Sequence, residues 1–195
     1  MKILTDRTRR TAQDRLTSMR GKVSLATVFA ALIVLTLAGC GGDSDIQYAK
    51  GRSIEIHATN PVTANKLTYA DGQGEHWVVR PSASNRQLAL VNVTIVNRTS
   101  TVMPLLVDPD AARLGDRRGE RIRAVDPFVS SAASGGTDVD EDKFTPFLWG
   151  VISLERQMQV QGWVIFDVPK GLTLGSMFWD EVDEVVVDFI DYYRG

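Results

Sequence analysis

The chain has 195 residues, 44% of them hydrophobic, with 22 Lys and Arg against 24 Asp and Glu, which is material for one substantial core after removal of a leader. Without a basic excess it is a poor match for a nucleic-acid partner, because phosphate binding is driven by Lys and Arg and by counterion release. A single cysteine excludes an internal disulfide, so stability must come from the core.

The first feature in chain order is an uncharged run at 23–38 in which only Ser24, Thr27 and Thr36 are polar, preceded by Arg20 and Lys22. A membrane-spanning helix needs about 20 apolar residues. This shorter run suits the apolar part of a secretory signal. It closes on Leu37-Ala38-Gly39-Cys40, which resembles the bacterial lipobox. The resemblance implies cleavage before Cys40 and a diacylglycerol on its thiol. The chemistry needs sulfur, the best side-chain nucleophile, and small Ala38 and Gly39 admit a protease to the backbone. Each buried acyl CH₂ contributes about 0.8 kcal/mol, so two chains tether a protein stably without spanning the bilayer. The bland alternative is a buried cysteine ending a membrane anchor.

The expected organisation is therefore a lipoprotein signal peptide at 1–39, a flexible tether at 40–50 and a folded domain at 51–195. Arg20-Gly21-Lys22 makes Met19 the expected translation start. Thr8-Arg9-Arg10 lacks the apolar pair that follows a twin-arginine export motif. Seven Lys/Arg and two Asp/Glu precede Cys40, leaving 15 and 22 after it and a mature formal charge of −7. The expected location is the extracytoplasmic face of a cell membrane. Gly41 is not the retention aspartate of inner-membrane lipoproteins, so an outer membrane is open to it where the envelope has one.

From the tether onward the pattern is β. Strands are predicted at 53–59, 67–69, 75–80, 87–97, 102–107, 121–125, 148–154, 162–168 and 184–190, from alternation and from β-branched and aromatic density. Along 87–97, Ala89, Val91, Val93 and Ile95 fall on one face; Leu88, Leu90, Asn92, Thr94 and Val96 make a more mixed, half-covered one. Turns are predicted at Asn97-Arg98-Thr99-Ser100 and Arg118-Gly119-Glu120. With no convincing amphipathic helix, the expected class is all-β, an immunoglobulin-like antiparallel β-sandwich.

The stretch Leu90-Val91-Asn92-Val93-Thr94-Ile95-Val96-Asn97-Arg98-Thr99, the later Gly162-Trp163-Val164-Ile165-Phe166-Asp167-Val168-Pro169, and the closing strand at 185–189 resemble a family of bacterial secreted lipoproteins. Its domain of unknown function is an immunoglobulin-like, telokin-like sandwich, similar to a mycobacterial immunoprotective antigen. The resemblance spans 51–192 and implies a fold, with no catalytic residues to carry over. Read physically, Val164, Phe166 and Val168 alternate inward, and Pro169 ends the strand where no ladder donor is needed.

Chemistry-bearing residues are sparse. His57 and His76, each within a strand, could reach a metal only by meeting in space. Asp138, Asp140, Glu141 and Asp142 place Lys143 and Trp149 where a calcium loop starting at Asp138 needs Gly and Glu. Asp180, Glu181, Asp183 and Glu184 read as a solvated turn. No Gly-x-Ser-x-Gly elbow and no phosphate-binding glycine loop occurs. No enzyme, cofactor or metal centre is expected.

The small-residue run 130–136 predicts a mobile loop over 130–143 and a candidate contact surface. Phe144, Phe147, Phe178 and Trp179 are the candidate partner-binding residues, as aromatics flanking loops. Trp149 and Trp163 are assigned to the core. Asn92-Val93-Thr94 and Asn97-Arg98-Thr99 match glycosylation acceptors, incidentally in a bacterial lipoprotein. The expected role is a non-catalytic protein-binding or assembly module held to membrane lipid through acylated Cys40; the alternative is a small-ligand or metal binder of the envelope. The mass of the mature N-terminal peptide checks the address: a diacylated Cys40 is expected, and an unmodified Cys40 in a retained leader refutes it.

Overall fold

The computed structural model describes residues 46–134 and 143–189. The leader, Cys40, the acidic cluster at 138–142 and the residues from 190 onward lie outside them. All described elements are strands: β1 Ile46–Lys50, β2 Ile54–Thr59, β3 Val62–Ala64, β4 Leu67–Ala70, β5 His76–Val79, β6 Arg86–Asn97, β7 Met103–Val107, β8 Ala112–Asp116, β9 Arg121–Arg123, β10 Ser131–Ala133, β11 Gly150–Leu154, β12 Gln159–Pro169, β13 Leu174–Trp179 and β14 Val185–Asp188. Every pairing between them is antiparallel. The fold is an all-β, sandwich-like stack of sheets, and no helix of the described residues is long and apolar enough to cross a membrane.

One layer is the sheet β1-β2-β6-β12, with β3 continuing the edge that β2 leaves. β2 pairs with β6 from Ile54–Asn97 to Ala58–Val93, and β3 takes over from Val62–Leu90 to Ala64–Leu88. Between them stands Pro61, which has no N–H to give a ladder. Facing this layer are the sheets β14-β13-β8-β9 and β11-β7. Their inward residues share one core. Ile54 and Ile56 of β2, Ala89, Val91, Val93 and Ile95 of β6, and Val164, Phe166 and Val168 of β12 meet Leu105, Leu114, Met177, Trp179 and Val187. Both inward faces expected from alternation are thus core faces.

The other face of β6 is covered over half its length. Leu88 and Leu90, with Ile165 of β12, pack against Leu67 and Tyr69 of β4 and Val79 of β5, forming a second core. The covering sheet is β10-β5-β4. Further along, Asn92, Thr94 and Val96 are only partly buried.

Five strands depart from the sequence expectation. β1 pairs along its whole length with β2, so 46–50 is sheet edge rather than tether. β10 pairs with β5 from Ser131–Val79 to Ala133–Trp77, so the beginning of the expected mobile loop is ordered; 135–142 lie outside the described residues. Small side chains suffice there because an edge strand is held by its backbone. β3, β8 and β13 are short or interrupted by glycine and serine, and their extended state comes from their partners.

Loop polar groups tie the layers together. Buried Asn97 donates Nδ2 to the carbonyls of Thr101 (2.8 Å), Leu154 (3.0 Å) and Glu155 (3.2 Å), while its Oδ1 accepts from the Thr99 amide (2.8 Å) and hydroxyl (2.7 Å). The predicted turn after β6 is therefore locked from inside, and Asn97 is no acceptor for a glycan. Asp116 Oδ1 similarly takes the amides of Arg118 and Glu120, both at 2.8 Å, closing the β8–β9 turn.

Asp183, expected in a solvated turn, is buried. Its Oδ2 accepts the amides of Ser53 (2.5 Å) and Ile54 (3.1 Å), fastening the approach to β14 onto the start of β2. Gly51 permits this, since a Cβ there would lie 2.6 Å from Asp183 Oδ2. Burial pushes Asp183 up, but the Ser53 and Ile54 amides and the Arg52 charge outweigh it and hold the carboxyl below its ordinary value. A depressed folded-state pKa stabilises above the unfolded value and is lost as pH falls through the folded one. Asp183→Asn is expected to cost about 2 kcal/mol at pH 7, from charged hydrogen bonds weakened or lost. Denaturant midpoints for the two proteins should converge below about pH 4, where the wild-type carboxylate protonates.

Candidate functional site

The second core is where the chain leaves a concavity. β4 places Tyr69 and β5 places Trp77 on the same side of the small sheet, where they are registered partners. Tyr69 is buried, with its ring 5.0 Å from Phe147 and 6.1 Å from Phe128, and Phe128 lies 5.8 Å from Phe147. All three pairs meet edge to face, the arrangement that aromatic quadrupoles favour. The Tyr69 hydroxyl donates to Ser131 Oγ at 3.1 Å, and that hydroxyl donates to the Phe128 carbonyl at 2.9 Å. Thus β10, at the edge, fixes one wall.

These rings line a cleft of about 560 Å³ whose lining also includes Asp71, Trp77 and Pro146. Phe128 is 56% exposed at its rim and Val129 beside it 82%. The opposite wall is a strap at 146–148 pinned to β12: the Trp163 amide donates to the Pro146 carbonyl at 2.9 Å and the Leu148 amide to the Trp163 carbonyl at 3.0 Å. Phe147 and Trp163 form a parallel bridge. Phe144 packs edge to face on Trp163 at 5.0 Å, behind the strap.

Asp71 is the one carboxylate among the described lining residues. Its Oδ2 accepts the Trp77 indole N–H at 3.0 Å, and its Oδ1 accepts the amides of Gln73 (2.8 Å) and Glu75 (3.0 Å). The indole bond first, then the two amides, hold Asp71 below its ordinary value against a smaller opposing push from burial. Asp71 is therefore an anion of fixed orientation beside an aromatic surface.

The expected partner-binding residues divide. Phe147 lines the cleft, and Phe144 supports its wall from the second core. Trp179 is fully buried: β13 turns it inward with Leu174 and Met177, and its Nε1 donates to the Glu181 carbonyl at 2.9 Å. It can meet no partner, which corrects the expectation. Phe178, its neighbour, faces outward, with the Arg121 guanidinium 3.9 Å above its ring and Gly115 beneath it, and it lines no part of the cleft. Trp149 and Trp163 are partly buried against the two cores.

Tyr69, Asp71, Trp77 and Phe128 escaped the sequence reading. Their signal was available only as aromatics on two short strands and an acidic turn residue before a tryptophan. The histidines do not converge on a metal: His57 sits on β2 with Nε2 2.9 Å from Glu55 Oε1, while His76 is on β5 in another sheet. Among the described residues no three His, Cys, Asp or Glu side chains form a metal-binding group.

Gly162 is the position on which the strap depends. A Cβ there would lie 2.8 Å from the Leu148 nitrogen and 2.9 Å from the Pro146 oxygen, both backbone atoms. Gly162→Ala is expected to cost about 1–3 kcal/mol in denaturant unfolding, as over-packing does, and to alter tryptophan emission by displacing the wall that carries Phe147. Comparison of the chain with protein-family models, with curated proteins and with solved structures finds no match.

Proposed function

We propose that this chain is a membrane-anchored extracytoplasmic lipoprotein whose domain is a non-catalytic binding module, with the aromatic cleft as its binding surface. The observation that carries the reading is the cleft itself: Tyr69, Trp77, Phe128 and Phe147 lining about 560 Å³, together with the oriented carboxylate of Asp71. Aromatics lining a pocket with few polar groups are the usual anchors of recognition. Among its described lining residues no nucleophile is paired with a base, the minimum for covalent catalysis. The anchor is inferred from the lipobox resemblance at Cys40. The immunoglobulin-like, telokin-like kinship is inferred from 90–99, 162–169 and 185–189, segments that here form paired strands of an all-β domain.

Two occupants suit such a surface. A protein partner is favoured by the exposed rim at Phe128 and Val129. A small ligand is favoured by the volume, since small-molecule pockets span about 300–1,000 Å³. Crosslinking in native membranes tests the first: one recurrent neighbour is expected, lost in Phe128→Ala, and recovery unaffected by that change refutes the cleft as the docking surface. Thermal shift tests the second, because anything bound only to the folded state raises the melting temperature. A flat response across metabolites removes it.

A further inference from the structure

We propose that the cleft binds a small quaternary ammonium group, with Asp71 as its counter-ion and the surrounding rings as its cage; this rests on reading the cleft as a binding site. Tyr69, Trp77, Phe128 and Phe147 line it together with Asp71, and among the described lining residues there is no Lys, Arg or His. Aromatic faces attract cations through the ring quadrupole, most strongly for tryptophan. A carboxylate beside them supplies the net charge. An anionic ligand would meet Asp71 with no cation to offset it.

The hydrogen bonds already made decide which cation. A primary ammonium has three N–H donors and a guanidinium five, and each needs acceptors to replace its water. Asp71 Oδ1 is engaged by the Gln73 and Glu75 amides, which leaves no free pair of oxygens for a guanidinium fork. Ser131 Oγ is engaged on both sides, by the Tyr69 hydroxyl and the Phe128 carbonyl. A quaternary ammonium has no N–H, is weakly hydrated and asks only for apolar contact and a nearby negative charge. Trp77 also holds Asp71 in place through its indole N–H, so one cage ring orients the counter-ion.

The test is calorimetric titration of the full chain with choline, with its uncharged isostere 3,3-dimethylbutan-1-ol, with ethanolamine and with methylguanidinium, using indole as an uncharged aromatic probe. Choline is expected to bind about tenfold more tightly than the isostere and more tightly than ethanolamine or methylguanidinium. Asp71→Asn should reduce the preference over the isostere, leaving the part that the rings supply. Phe128→Ala, at a half-exposed ring, should weaken choline in a protein that still melts cooperatively, its melting temperature lowered only by the loss of two edge-to-face contacts. Equal affinity for choline and the isostere, tighter binding of ethanolamine or methylguanidinium, or binding of indole alone overturns the cation while leaving the binding site standing. No binding of any probe overturns the cation and the small-ligand occupant together, while crosslinking in Phe128→Ala decides whether a protein docks on the cleft.

Discussion

The antiparallel pairing of β6 with β12, in register from Arg86–Pro169 to Val96–Gln159, has apolar side chains on both faces over half its length. The inner face belongs to the main core, as in any sandwich. The outer face cannot be left to water where Leu88, Leu90 and Ile165 emerge, because leaving them exposed would forgo about 1.5–3 kcal/mol for each fully buried side chain. A third layer is therefore required, and β4, β5 and β10 with the 144–148 segment provide it. The cleft exists because that small third layer covers the surface with few strands and large aromatic rings.

Short strands would be poor walls without fixed loops. Across the domain, the loops are fixed by single polar side chains that collect several backbone groups: Asn97 after β6, Asp116 after β8, Asp183 before β14 and Asp71 after β4. A carboxylate or amide can satisfy two or more orphaned backbone groups at once, which a hydrophobic contact cannot do. At Asp183 the arrangement serves cohesion, since the carboxylate is buried between elements. Asp71 uses the same device at the surface, where the oriented charge lines the cleft. One local chemistry thus yields a buried stitch in one place and an oriented surface carboxylate in another.

The walls of the cleft are fixed by their own contacts. Its rings contact one another edge to face, its hydroxyl pair is satisfied, and its strap is bonded to β12 through two backbone hydrogen bonds. Less conformational freedom remains to be lost on association.

By itself the sequence determined the all-β character, the inward faces of β6 and β12 and the turns at Asn97 and Gly119, because alternation and turn chemistry are local properties of the chain. Phe147 was legible as a loop aromatic; Trp179 was misread because its neighbour Phe178 gives the same local signal, and only strand parity sends one inward and the other out. Only the tertiary structure decided that 46–50 and 131–133 are sheet edges, that Asp183 is buried, and that Tyr69, Asp71, Trp77, Phe128 and Phe147 share one cleft. Those residues come from separated stretches of chain, and their meeting is set by which faces of β6 and β12 had to be covered, a condition that no local pattern records.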